Sequence, residues 1–121
     1  MFRLIKIEGG RINVPEPEFY SAGEVLKAGQ AVSLSAGKLV KNASAPVYIT
    51  LAAGVQDQKT PVARINSDQL YETNITASTV GLNVGDKVTL DSGATAVTAT
   101  TENGIATIVS IDSDDTVTVR F

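Results

Sequence analysis

The 121-residue chain contains no histidine, no cysteine and no tryptophan, and only one methionine. Without His or Cys it has no imidazole proton shuttle, no thiolate nucleophile, no zinc-finger or iron–sulfur ligand set and no disulfide framework. Lys and Arg total 10 against 13 Asp and Glu, a formal net charge of −3, so the basic balance expected of a nucleic-acid binder is absent too. No stretch reaches the roughly 18 consecutive apolar residues of a membrane span. The N-terminal Met1-Phe2-Arg3-Leu4-Ile5-Lys6-Ile7-Glu8 alternates charged and apolar residues where a signal peptide would carry an apolar core. The expectation is a protein made in the cytoplasm without an export signal, with neither membrane nor nucleic acid as partner.

What the chain does have is β-branched residues. Val, Ile and Thr make 36 of the 121 positions, a composition that suits pleated sheets. The length supports one domain, or one domain and an arm. Short alternating runs separated by Gly, Asn, Asp and Ser predict strands near 30–34, 38–41, 46–52, 61–65, 70–75, 86–90, 95–100, 105–111 and 115–121. The last is the clearest, with Val117, Val119 and Phe121 on one face and Thr116, Thr118 and Arg120 on the other. No segment sustains a helical period; a single helical turn is the most that fits, at 21–27. The fold expected over 21–121 is therefore all-β, a small antiparallel barrel or sandwich.

Residues 1–20 read as an extended N-terminal segment, either an arm or an edge strand. Phe2 to Ile7 alternate, placing Phe2, Leu4 and Lys6 on one side and Arg3, Ile5 and Ile7 on the other. Gly9-Gly10 breaks the run, and Val14-Pro15-Glu16-Pro17-Glu18 forbids both helix and central strand. The segment is nonetheless rich in apolar side chains, too rich for a free tail. Phe2, Leu4, Ile5, Ile7, Phe19 and Tyr20 are accordingly the candidate residues for contact with another subunit or a larger partner, with Ile12 and Val14 adding to the apolar count.

An internal similarity divides the domain. Shifted by 56 positions, Leu26, Gly29, Val32, Leu34 and Gly37 fall on Leu82, Gly85, Val88, Leu90 and Gly93. At the same offset Ile49 meets Ile105, Thr60 meets Thr116 and Arg64 meets Arg120. In all, 9 of 43 positions agree between 23–65 and 79–121. A turn glycine, two inward residues two apart and a closing glycine make one hairpin unit. The spacing predicts a duplicated hairpin plan with pseudo-two-fold halves.

Candidate chemistry is sparse. Asp112-Ser113-Asp114-Asp115 lacks the central Gly and distal Glu of a calcium loop, and its position between two strands predicts a hairpin turn. Glu16 and Glu18 read as a solvated spacer, and Arg64 and Arg120, pointing away from the core, as solvated or cross-strand pairs, with an interface ion pair as the alternative. No Gly-x-Ser-x-Gly elbow, Walker loop or Gly-x-Gly-x-x-Gly fingerprint occurs. The reading is a protein that is not an enzyme, with no catalytic residues, no cofactor and no metal site.

Two blocks carry a family resemblance. Ser21-Ala-Gly-Glu-Val-Leu-Lys-Ala-Gly-Gln-Ala-Val-Ser-Leu-Ser-Ala-Gly-Lys-Leu-Val-Lys41, with Pro46-Val-Tyr-Ile-Thr50, resembles the small capsid-decoration (head stabilisation) proteins of tailed bacteriophages. Val84-Gly-Asp-Lys-Val-Thr-Leu90, Val97-Thr-Ala-Thr100, Gly104-Ile-Ala-Thr-Ile-Val109 and Val117-Thr-Val-Arg-Phe121 are similar to the base domain of phage head fibre proteins. The resemblance implies a β-rich structural protein of the virion, a homotrimer on the outer surface of an icosahedral shell, with the major capsid protein as partner. A compact decoration protein is expected rather than a projecting fibre. The rival readings are a carbohydrate-binding or host-adhesion module on the virion, and a hydrolase of unusual type.

Overall fold

Ten strands joined by turns make up the computed structural model, which describes residues 1–8 and 16–121. None of the described residues is helical. In chain order the strands are β1 (Arg3–Ile7), β2 (Glu18–Ser21), β3 (Ala31–Ser35), β4 (Lys38–Lys41), β5 (Tyr48–Thr50), β6 (Lys59–Arg64), β7 (Gln69–Asn74), β8 (Lys87–Val88), β9 (Ala106–Ile111) and β10 (Thr116–Arg120). They form two antiparallel five-stranded sheets, ordered β1-β7-β10-β9-β8 and β2-β6-β5-β3-β4. The sheets face one another as a small β-sandwich, and neither closes into a barrel among the described residues.

Burial explains the alternation. Val117 and Val119 of β10, Ile108 of β9 and Tyr71 of β7 pack in one core with Ala31 and Ile49 of the opposite sheet. Phe121 packs at its margin, its ring 5.3 Å from Phe2 and 5.8 Å from Tyr71. A second, smaller core lies on the other face of the β2–β4 sheet and joins Ala22, Leu26, Val32, Leu39, Tyr48 and Val62. That sheet curls to enclose it. Ala22 bridges Leu39 in parallel, and the Gly23 N–H donates to the Leu39 carbonyl at 2.7 Å.

The duplicated plan is present. The order β6-β5-β3-β4 in one sheet matches β10-β9-β8 in the other, where Val97 bridges Leu90 in the place of β4. The backbone bonds match as well. Gly29 donates to Thr50 and Gly85 to Ile108, both at 2.8 Å; Val47 donates to Val32 and Ile105 to Val88, both at 2.9 Å. Each half also ends in a parallel bridge, Ala22 to Leu39 and Ile75 to Val97.

The constant 56-residue offset does not survive, however. Thr50 corresponds to Ile108 and Val47 to Ile105, an offset of 58 by these shared bonds. The cause is the hairpin loop. Ser35 pairs with Lys38 across the two residues Ala36 and Gly37, both at positive φ. Asp91 donates to Ala96 across four residues, and its carboxylate accepts the Thr95 and Ala96 N–H groups at 2.9 and 3.2 Å. Two extra residues in the second loop shift everything after it. A bulge between Thr118 and Val119 moves β10 again. Ile49/Ile105, Thr60/Thr116 and Arg64/Arg120 are therefore not equivalent positions.

Three local expectations change. The segment 21–27 is not helical: Ala22 bridges Gln56 and Leu26 bridges Gly54. The 95–100 segment forms no full strand, being held by Val97 and by the Thr98-to-Thr89 and Thr89-to-Thr100 backbone bonds. In β1 a bulge at Ile5 resets the alternation: Leu4 stands opposite Tyr71 and Ile7 opposite Gln69, so Phe2, Leu4 and Ile7 share the inward side. The Gly9-Gly10 break, Ile12, Val14 and Pro15 lie outside the described residues.

Candidate interaction surface

Two edge strands carry the candidate contact residues. β1 is the terminal strand of its sheet, pairing only with β7, and β2 is the terminal strand of the other, pairing only with β6, among the described residues. The structure divides the six candidates sharply. Phe2 is 2% exposed and belongs to the core, and Leu4 and Ile7 are half-buried beneath β1. Tyr20 packs against the second core, its ring 5.4 Å from that of Tyr48. Of the six, Ile5 and Phe19 alone are exposed, at 48% and 56%.

Phe19 does not stand by itself. It pairs with Pro61 on β6, and the Leu51 N–H donates to the Pro61 carbonyl at 2.9 Å. Directly opposed residues share a face of a sheet, so Leu51, Pro61 and Phe19 form one row on the face turned toward β1. One register step away, Ile49 opposes Ala63, and both are buried. A cleft of about 240 Å³ runs over that step, lined by Met1, Phe2 and Leu4 above and by Ile49, Leu51 and Ala63 below. Beyond it the row lies open, with Leu51 at 52% exposure. The sheet carrying β2, β5 and β6 thus extends past its partner as an apolar shelf.

Sequence reasoning found Phe19 but missed Leu51 and Pro61. Leu51 continues the alternation of Ile49, which was the available signal. The pairing with Pro61 joins strands ten residues apart and leaves no local trace.

Charge frames the shelf. Lys59 stands two residues before Pro61 on the same face, opposite Ser21, and is exposed. Lys27 is exposed next to Thr50, whose hydroxyl donates to the Lys27 carbonyl at 2.5 Å. Neither lysine forms an ion pair among the described residues. β1 itself carries the devices that discourage strand addition, namely the Ile5 bulge and the outward Arg3 and Lys6.

Several other charged groups are committed within the chain. Glu18, expected as a solvated spacer, accepts from Arg64 Nε and Nη2 at 3.2 and 3.1 Å and from the Tyr20 hydroxyl at 2.6 Å. These bonds, Tyr20 first, hold its carboxyl below the usual range, and the same carboxylate pushes the Tyr20 phenol up. Arg64 also lies over the Tyr48 ring, 5.0 Å from its centre. Arg120 pairs with Glu8, and Arg3 with Glu72 across β1 and β7. Asp112 to Asp115 form the expected turn: Asp112 N–H donates to Thr116, Asp112 Oδ2 accepts from the Thr118 hydroxyl, and Asp115 Oδ1 accepts from Ser113 and Thr116.

No protein-family model matches the chain, and a search of curated proteins finds no significant match.

Proposed function

We propose that this protein is a non-enzymatic structural module, a phage capsid-decoration protein that attaches in several copies to the outside of an icosahedral shell and stabilises it. The supporting observation is the shelf. Three apolar residues, exposed Phe19 and Leu51 and half-buried Pro61, stand in register on one sheet face beside an apolar cleft, a surface suited to burial against protein. Repeated weak contacts on a symmetric shell add to tight attachment without any one being strong. The partner is the major capsid protein, and the assembly unit is a homotrimer. Co-sedimentation of the purified protein with expanded shells of the phage that encodes it is the test. A fixed stoichiometry in the pellet supports the reading, and a protein left wholly in the supernatant removes it.

A carbohydrate-binding role has one observation in its favour. A polar cleft of about 290 Å³ is lined by Arg3, Glu72, Thr73, Asn74 and Thr116, with Met1 at its side. Its donors and acceptors suit hydroxyl-rich ligands, but it has no aromatic ring for a sugar to stack on. Glycan-array binding lost on Asn74→Ala would favour that role over decoration.

A further inference from the structure

The shelf has a counterpart elsewhere on the chain. The β9–β10 turn carries Asp112, Asp114 and Asp115, none of which forms an ion pair among the described residues. Asp112 and Asp115 are occupied by hydroxyls of the turn, whereas the Asp114 carboxylate accepts no hydrogen bond from the described residues. An exposed apolar loop is fastened to this turn. Thr79 donates its N–H to the Asp114 carbonyl at 3.1 Å and its hydroxyl to the Ser113 carbonyl at 3.2 Å. The next residue, Val80, is 83% exposed, and Ile111 at the end of β9 is also exposed. Among the described residues, the shelf thus sets exposed apolar side chains near lysines without an ion pair, and the turn region sets them near aspartates without one.

We propose that the shelf is covered by the β9–β10 turn of a second copy of this chain, with Val80 and Ile111 of one copy set against Phe19, Pro61 and Leu51 of the next and the aspartates facing Lys27 and Lys59. This rests on the reading of the protein as a multi-copy decoration protein and names the contact that builds its oligomer. Because the two patches differ, the contact is head-to-tail and closes only as a ring. Arg3 opposite Glu72 and Thr116 opposite Asn74 put the start of β1 and the β9–β10 turn at the same end of one sheet, separated by β7 and β10. Rim charges of opposite sign steer and register such a contact, and like charges oppose it.

Sedimentation velocity on the full chain decides the matter. The wild type is expected to associate with increasing concentration, less so at high salt. Lys59→Glu and Asp114→Lys alter exposed side chains, and their folding is checked by thermal melting. Each is expected to weaken self-association roughly tenfold, and the two together in one chain to recover most of the loss. A wild type that stays monomeric at every concentration overturns the inference. So do single variants that associate like wild type, or a double variant no better than either single. A monomer that still pellets with shells would leave the decoration reading standing and remove only this contact.

Discussion

Arg64 stands diagonally across from Glu18 on neighbouring strands and closes two donors onto its carboxylate, Nε at 3.2 Å and Nη2 at 3.1 Å. The pair roofs the end of the second core, where Tyr20 and Tyr48 meet. Because folding lowers the Glu18 pKa, its contribution is complete above the ordinary value of 4.5 and is lost as pH falls through the lowered folded value. Asp115, lowered by the Ser113 and Thr116 hydroxyls, acts in the same direction. Thermal melts from neutral pH into the acid range should therefore show the wild type falling more steeply than Glu18→Gln below about pH 4.5. Parallel curves would show that the pair does not couple to folding.

Tyr71 supplies the opposite limb. It is buried in the main core, donates its hydroxyl to Gln69 Oε1 at 2.8 Å, and burial pushes its pKa up to about 12. A raised folded pKa means the stabilisation is complete below the ordinary tyrosine value of 10 and is lost as pH climbs toward 12. The loss is on the order of 2 kcal/mol. Tyr71→Phe should flatten the alkaline fall in stability while keeping the ring in place. Ultraviolet titration of phenolate formation, compared between the two proteins, separates Tyr71 from Tyr20, the other tyrosine raised above its ordinary value.

Gly29 and Gly85 hold the same place in the two halves, yet they are not equally replaceable. Both have positive φ, +68° and +97°, and both donate to the facing strand. A Cβ on Gly85 would meet nothing within 4 Å, whereas one on Gly29 would lie 2.8 Å from the Phe2 carbonyl oxygen and 3.0 Å from its nitrogen. Gly85→Ala should cost about 1 kcal/mol, the backbone penalty alone. Gly29→Ala adds a collision with backbone that itself donates to Gly29, and should exceed about 2 kcal/mol. Equal costs in urea denaturation would refute the distinction.

The halves and most strands were legible because their signals are local. Alternation located β3, β4, β6, β7, β9 and β10 to within two residues, and the turn glycines exposed the repeat. What escaped was set by partners distant in sequence. The Ile5 bulge exists only against β7, so alternation in β1 assigned Ile7 to the wrong side. The slip from 56 to 58 comes from the four-residue loop after Asp91, which also docks between the halves: Gly93 accepts from the buried Gln30 amide at 2.7 Å, and Ala94 accepts from the Ala31 N–H. Of the candidate contact residues, composition could show that the first twenty positions were apolar. Only the pairing of β2 with β6 separates an exposed Phe19 from a buried Phe2.

Those two phenylalanines give the sharpest experiment. Phe2 lies in the main core against Phe121, and its N–H donates to Gly29 at 2.8 Å, so β1 is tied to both sheets. Phe2→Ala removes a buried ring and should cost about 3–5 kcal/mol, a large share of the stability of a domain this size. Phe19 lies on the shelf, where truncation leaves no cavity, and Phe19→Ser should stay within about 0.5 kcal/mol of wild type. Assembly should rank them in reverse. Phe19→Ser removes an anchor from the contact between copies, so self-association, and with it the avidity of shell co-sedimentation, should fall while the melting temperature holds. Phe2→Ala, under conditions where it remains folded, should bind as wild type does. The shelf would lose its assigned role if Phe19→Ser self-associated as wild type does, and the core assignment would fail if Phe2→Ala melted with the wild type.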